Sequence, residues 1–455
     1  MRKGKRVGLF FTVISITVVL CFLVWFLSLI FEGEKPSIEF QPLPKYLSGR
    51  QNFNITVRDM KRGLRVVDVS VNQGERKIGI LKKNFPFRDL FNREGVHEFK
   101  TQFSIDPAML NLAQGEVWLE VSVWDYSRRR GGDGNMEVLR HKMVVDTIQP
   151  AIRAISRLHY VSRGGTGLVV YQTSSDVTTS GIFVNSLFFP GFPADSKSQN
   201  GYHVCYFGIP HNIQSHADIH LWAQDRAGNT STARFYYRIL TKPFRTRRIN
   251  ISDRFLERVL PYFSSYCPDP NATDIEKFCI INRELRQKNA AVFQDLGKNT
   301  SHERLWEGSW LRLKDAACMA NFADHRIYYY KGHKVDKAVH LGIDLASLAN
   351  SEVYAANNGR VIYAQPLGIY GLTVVLDHGQ GLASTYSHLS SITVKTGQKV
   401  SKGDQIGFTG QTGLAGGDHL HFGIMVSGLF VNPTEWWDPH WIQDNIIRKL
   451  LLLKK

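Results

Sequence analysis

A mainly β protein is predicted, with one N-terminal membrane-spanning helix, two β-sandwiches in series, a helical connector and a C-terminal antiparallel β domain. Three observations predict it. Val7 to Phe31 form an uncharged run dominated by Val, Leu, Ile and Phe. From about Lys35 to Leu240, short alternating strands with turn signals follow, and they repeat. Beyond a stretch of helical spacing, short strands return with turns around Gly359, Gly371, Gly379, Gly397, Gly403 and Gly410. At 455 residues the chain is longer than one hydrophobic core supports. The expected divisions are residues 1–32 for a cytoplasmic tip and anchor, 33–149 and 150–243 for the sandwiches, 244–312 for the connector and 313–455 for the C-terminal domain.

The apolar run is the anchor. At about 1.5 Å of rise per residue it covers a hydrocarbon core of about 30 Å. A cleaved signal would have an apolar core of about 7 to 15 residues and small residues at the cut, whereas this run ends in Leu29, Ile30 and Phe31. Arg2, Lys3, Lys5 and Arg6 precede it, so the positive-inside rule leaves the N-terminus in the cytoplasm and everything after Glu32 outside. The expected location is a cytoplasmic membrane crossed once, with the C-terminal domain in the periplasm or on the extracellular face. A formal net charge of +16 and a pI near 9.5 suit anionic surroundings. No recognition helix, zinc finger or RNA-binding aromatic motif accompanies that charge, so nucleic acid is not an expected partner.

The sandwiches follow from a repeat. Val117-Trp118-Leu119-Glu120-Val121-Ser122-Val123-Trp124-Asp125 has a partner in Ile219-His220-Leu221-Trp222-Ala223-Gln224-Asp225, each preceded by a Pro-containing segment at Pro107 or Pro210. The spacing of the two aspartates is that of one sandwich module, about 100 residues. Val144 to Pro150 resembles the joint between consecutive bacterial immunoglobulin-like modules, which implies two immunoglobulin-like β-sandwiches. They serve as spacers or, in a sharper reading, recognise a protein partner. In the connector, Ser252 caps a helix that places Phe255, Leu256, Val259, Leu260 and Phe263 at helical spacing. Trp441 to Leu453 reads as a closing helix with Ile442, Ile446 and Leu450 packed on the domain. Outside the anchor, Cys205, Cys267, Cys279 and Cys318 face an oxidising compartment, and Cys267 with Cys279 is the expected pair across the turn at Pro268 to Asn271.

Sixteen histidines are present. His203, His211, His216 and His220 straddle a turn and a strand without a carboxylate at metal-like spacing, and His378, before Gly379, reads as structural. The strand beginning His419-Leu420-His421 is different, because period-2 geometry sets its two imidazoles on one face, about 6 to 7 Å apart. One can hold a metal while the other reaches a water on it. Upstream, His340 and Asp344 flank Gly342, and either one helical turn or one strand face makes them converge. A His, Asp, His set with an open fourth position is the pattern of a catalytic zinc. No Cys-x-x-Cys pair and no His-Glu-x-x-His helix is present.

The surrounding motifs carry a resemblance. His340-x-Gly342-x-Asp344, Val353-Tyr354-Ala355-Ala356 with Gly359-x-Val361, Tyr386-Ser387-His388-Leu389, Val394-Lys395-x-Gly397-Gln398-x-Val400, Gly403-x-x-Ile406-Gly407 and His419-Leu420-His421-Phe422 succeed one another. From about Arg326 to Pro433 this resembles the lysostaphin-type zinc peptidases, the LytM-like murein endopeptidases. Ser384 stands in the family's Thr position and Thr385 adjoins Tyr386, while the Tyr-x-His spacing is kept. The resemblance implies a zinc ion on His340, Asp344 and His421, His419 as general base, and His388 stabilising the charged intermediate. It further implies hydrolysis of peptide cross-links in peptidoglycan, and no paired carboxylates point to a glycosidase. The alternative is a catalytically silent scaffold of the same kind that activates another cell-wall hydrolase.

Overall fold

The computed structural model describes residues 2–194, 201–213, 217–266, 269 and 271–454. It falls into two compact units, Met1–Gln149 with Arg226–Asn229, and Pro150–Asp225 with Thr230–Lys455.

The first unit begins with the helix Arg2–Ile30, of which Gly8–Ile30 is long and apolar enough to cross a membrane, a property that a signal sequence shares. Its side chains from Leu9 to Trp25 are exposed, as a lipid-facing helix requires. Thr12 and Thr17 donate their hydroxyls to the carbonyls of Gly8 and Val13, both at 2.9 Å, so the polar groups are satisfied within the helix. Two sheets follow. Ser37–Gln41, Gln51–Arg58 and Glu98–Ile105 make one. The other runs in the order Tyr46–Leu47, Met136–Val145, Gly115–Asp125, Leu64–Gln73, Arg76–Asn84. Val117, Leu119, Val121 and Val123 alternate along one strand and meet Phe53, Ile55 and Val57 of the other sheet in one core. Each such side chain contributes about 1.5–3 kcal/mol on burial, so a charge at Val121 would break the layer.

The second unit contains two further four-stranded sheets, built around Thr166–Thr173 with Tyr202–Gly208 and Val177–Val184 with Ile219–Asp225. Their core does not end at the module. Leu168, Tyr206 and Ile182 belong to the same buried cluster as Trp306, Trp436 and Ile446. Polar ties reinforce the junction, because Thr166 N–H donates to Glu435 Oε2 at 2.8 Å and Lys449 Nζ donates to the Leu168 carbonyl at 3.1 Å. The closing segment is helical from Pro439 onward, passing through a wide turn at Gln443–Ile447, and it buries Ile442 and Ile446.

The connector differs from a purely helical reading. Thr246–Ile251 is a strand, paired in parallel with His325–Tyr330, which in turn pairs antiparallel with His333–Val339. Ile249 and Ile251, two apart, supply the inward face of that strand and join the core formed with Leu256, Phe278 and Tyr328. Ser252 then caps Asp253–Val259, accepting from Phe255 N–H at 3.2 Å. Thr273 and Glu276 form a capping box for Asp274–Ile280, which continues through Ile281–Leu285 into Arg286–Leu296.

The main sheet of the C-terminal half runs in the order Ala317–Ala320, Ile343–Ala346, Leu420–Val426, Leu382–Leu389, Leu372–Gly379, Gly359–Pro366, Lys399–Val400. Every pairing in it is antiparallel. Cys279 is unbonded, with Sγ toward the Val335 carbonyl, and its expected partner Cys267 lies outside the described residues.

Candidate metal centre

Three strands assemble the site. Asp344 on Ile343–Ala346 stands opposite His421 on Leu420–Val426, so the ladder itself delivers carboxylate and imidazole to one place. His340 follows the strand His333–Val339, and a short irregular stretch with a bend at Gly342 leads from it to Asp344. The two therefore converge across that bend, neither on a helical turn nor on one strand face. His340 Nε2 lies 2.8 Å from Asp344 Oδ1 and 2.9 Å from His421 Nδ1, and His421 Nδ1 lies 2.9 Å from the same Oδ1. All three residues are buried. Gly342 makes the approach sterically feasible, since a Cβ there would lie 2.5 Å from His421 Nε2.

Supporting contacts fix each group. His340 gives its Nδ1–H to the Asn321 carbonyl at 2.9 Å, which leaves the Nε2 lone pair facing Asp344 and His421. The second carboxylate oxygen, Asp344 Oδ2, accepts from Arg326 Nη2 at 2.7 Å. His419 precedes its strand in a bridge with Gly410, donates Nδ1–H to the Gly417 carbonyl at 2.8 Å, and holds Nε2 at 3.5 Å from Asp344 Oδ1. His388 sits near the end of Leu382–Leu389 with a left-handed φ of 64°, a conformation that costs energy in a non-glycine residue and re-aims its side chain. It donates Nδ1–H to the Thr412 carbonyl at 2.8 Å, and its ring lies 4.8 Å from that of His419.

The electrostatics are those of a buried anion among imidazoles. Burial alone would raise Asp344, but His340, His419 and His421 outweigh it and hold the carboxyl well below its usual range. Burial pushes His421 down to about 4 and, with the neighbouring His419 and His421, holds His388 well below the ordinary histidine value. Burial opposes protonation of His419 too, yet the hydrogen bond and charge of Asp344 raise it.

The cleft above these groups holds about 600 Å³, and His340, Asp344, His388, His419 and His421 all line it. All five residues singled out from the sequence therefore meet. His378 does not join them, since it is buried between the Asn358 carbonyl and the Ser384 hydroxyl, which fits its structural reading. Among the described residues, His203, His211 and His220 form no metal-like group, and His216 lies outside them. Sequence reasoning missed Arg326, which steadies Asp344, and Tyr370, whose ring packs 5.5 Å from that of His421. Neither lies in a pattern with a ligand.

Two imidazole nitrogens and a carboxylate oxygen, converging below an open cleft, are a zinc-type donor set. Residues 338–433 match Peptidase family M23. This stretch is an M23 peptidase domain. Over 115 residues the chain is 40% identical to the peptidoglycan DD-endopeptidase ShyA of Vibrio cholerae, covering 25% of this chain and 26% of ShyA. Over 95 residues it is 39% identical to the murein hydrolase activator EnvC of Escherichia coli, covering 21% and 23%. The chain thus spans about a quarter of the length of these relatives. The catalytic domain of lysostaphin from Staphylococcus simulans aligns with 29% of this chain and 98% of its own, at 26% identity and a TM-score of 0.25. The M23 domain holds His340, Asp344, His388, His419 and His421, whereas Arg326 lies just before it.

Proposed function

We propose that the protein is a zinc-dependent endopeptidase, anchored in a cytoplasmic membrane by the helix ending at Ile30, that hydrolyses peptide cross-links of peptidoglycan on the outer side. One observation carries the reading. His340, Asp344 and His421 converge to within 2.9 Å of one another, and two further imidazoles share their cleft without joining the donor set.

The ligands are His340 Nε2, Asp344 Oδ1 and His421 Nδ1. Zinc held by this set supplies a Lewis acid that polarises the scissile carbonyl and acidifies the attacking water. His340 is kept in the right tautomer by Asn321, and Arg326 ties up Asp344 Oδ2 so that Oδ1 is the oxygen presented. His419, with Nδ1 committed to Gly417, uses Nε2 to take the proton of the attacking water and to return it to the leaving amine. His388 gives its Nδ1–H to the Thr412 carbonyl and lines the cleft, and a second proton on its Nε2, which burial disfavours in the resting site, is favoured by the charge developing on the carbonyl oxygen.

The similarity to EnvC supports a second reading, in which the domain activates another hydrolase. A scaffold of that kind needs no metal ligands, and here every ligand and both additional imidazoles are in place. Digestion of purified murein followed by mass analysis of the products tests the choice. Cut stem peptides with intact sugar strands are expected, and intact murein, or cut sugar strands, would contradict the assignment.

A further inference from the structure

The wall of the cleft that faces the donor set comes from outside the M23 domain, and it is cationic. Arg247 and Arg248 lie on the strand Thr246–Ile251, Arg286 begins the helix Arg286–Leu296, and Arg326 lies on His325–Tyr330, and all four line the cleft. Among the described residues, two carboxylates, Asp344 and Asp418, line it with them. Asp344 is engaged by the imidazoles and Arg326. Asp418 accepts from Asn350 N–H.

The four guanidiniums are not equivalent. Arg247 pairs with Asp324 at 3.3 Å and donates to the Met319 carbonyl, and Arg326 pairs with Asp344, so these two are neutralised by the protein. Arg248 and Arg286 have no carboxylate partner among the described residues. Each is nevertheless held in place by neutral groups. Arg248 stacks 3.9 Å over the Tyr329 ring, and Arg286 donates from Nε and Nη2 to the carbonyl and the side-chain oxygen of Asn282. Arg248 is exposed and alternates with Arg247 and Ile249, so its guanidinium, over Tyr329, lies on the other face of the sheet. Arg286 is the oriented, uncompensated guanidinium beside the reaction centre, suited to a planar carboxylate bound by paired hydrogen bonds.

Resting on the peptidase reading above, we propose that Arg286 selects peptides that carry a free carboxylate close to the scissile amide. A cleft of this volume is about 10 Å across, the span of about three extended residues, which sets how near the carboxylate must be. Peptidoglycan stem peptides meet the requirement, because they carry free carboxyl groups at chain ends and on side chains, and amidation of those groups would be a mark that the enzyme reads.

The test uses the full-length zinc-loaded chain and a pair of synthetic peptides alike except that the carboxylates of one are carboxamides in the other. The ratio of kcat/KM for the two is measured in the wild type, in Arg286→Gln and, as a control from the other face of the sheet, in Arg248→Gln. Binding of both peptides to His419→Ala is measured by calorimetry. A hydrogen bond to a charged group is worth about tenfold to a hundredfold, so the free carboxylate is expected to be preferred by that factor in both measurements. Arg286→Gln should lose the preference by slowing on the carboxylate peptide alone, Arg248→Gln should keep it, and Arg286→Lys should restore part of it. Equal hydrolysis of the two peptides by the wild type and equal binding of them by His419→Ala would overturn the proposal while leaving the peptidase reading intact. So would variants that lose both peptides equally, which is what a structural role predicts. Carboxylate-selective binding without any hydrolysis would instead uphold the selection and overturn the peptidase reading.

Discussion

A Cβ at Gly342 would lie 2.5 Å from His421 Nε2 and 2.7 Å from the Phe422 carbonyl oxygen, closer than real contacts allow. Gly342→Ala is therefore expected to displace His421 and abolish zinc binding at a folding cost of about 1–3 kcal/mol, read by metal analysis beside a denaturant curve. His419→Ala removes a proton acceptor and leaves the three ligands, so zinc content should stay while turnover falls by about 10² to 10⁴. Unchanged turnover would hand the base role to another group. A third residue gives a pH signature. Burial pushes Glu435 from its ordinary 4.5 up to about 8. Between those values the unfolded chain has lost a proton that the folded chain keeps, so stability falls as pH rises through the window. Glu435→Gln keeps an acceptor for Thr166 N–H and lacks that slope. Its melting temperature should gain on the wild type from pH 4.5 toward 8 and match it below 4.5. Four of the site residues were legible because their spacing is local, with His340 and Asp344 four apart and His419 and His421 two apart, whereas His388 came only with the resemblance, through Tyr386-x-His388. Arg326 and Tyr370 were not, because only the folded sheet carries them to the ligands.

At the scale of elements, the connector does more than join. Arg258, on Asp253–Val259, donates Nη2 to the carbonyls of Ala415 and Gly416 at 3.0 and 2.9 Å, just before His419. Arg258→Ala should loosen that loop and lower kcat by about tenfold at unchanged zinc content, since small misplacements of a catalytic group are costly. An unaltered kcat would mean that the loop holds itself. The Ser252 cap and the helical spacing behind it could be read directly, because capping is a local matter of one side chain and one N–H. The strand before it could not. Its alternation of Ile249 and Ile251 is too short to outweigh the neighbouring helical signal, and its partner His325–Tyr330 is distant in sequence.

For the whole molecule, the repeat between Val117–Asp125 and Ile219–Asp225 falls on an interior strand of a sheet in each case, with Val117, Leu119, Val121 and Val123 and Ile219, Leu221 and Ala223 buried. What alternation cannot tell is what the outer faces meet, and the second module proves to share one core with the M23 half through Trp306 and Trp436. It is thus no independent spacer. The fragment Pro150–Lys455 is expected to fold and to cut murein in solution. Arg326–Lys455, stripped of the partners of Trp436 and Phe430, is expected to aggregate, and its behaviour as a stable monomer would contradict a common core. The most direct test of the account follows murein digestion by the full-length chain as a chelator is added and zinc is then returned. Release of stem peptides that stops with the chelator, resumes with about one zinc per chain and never starts in His340→Ala is the predicted result, whereas release that persists in metal-free protein or in His340→Ala would contradict it.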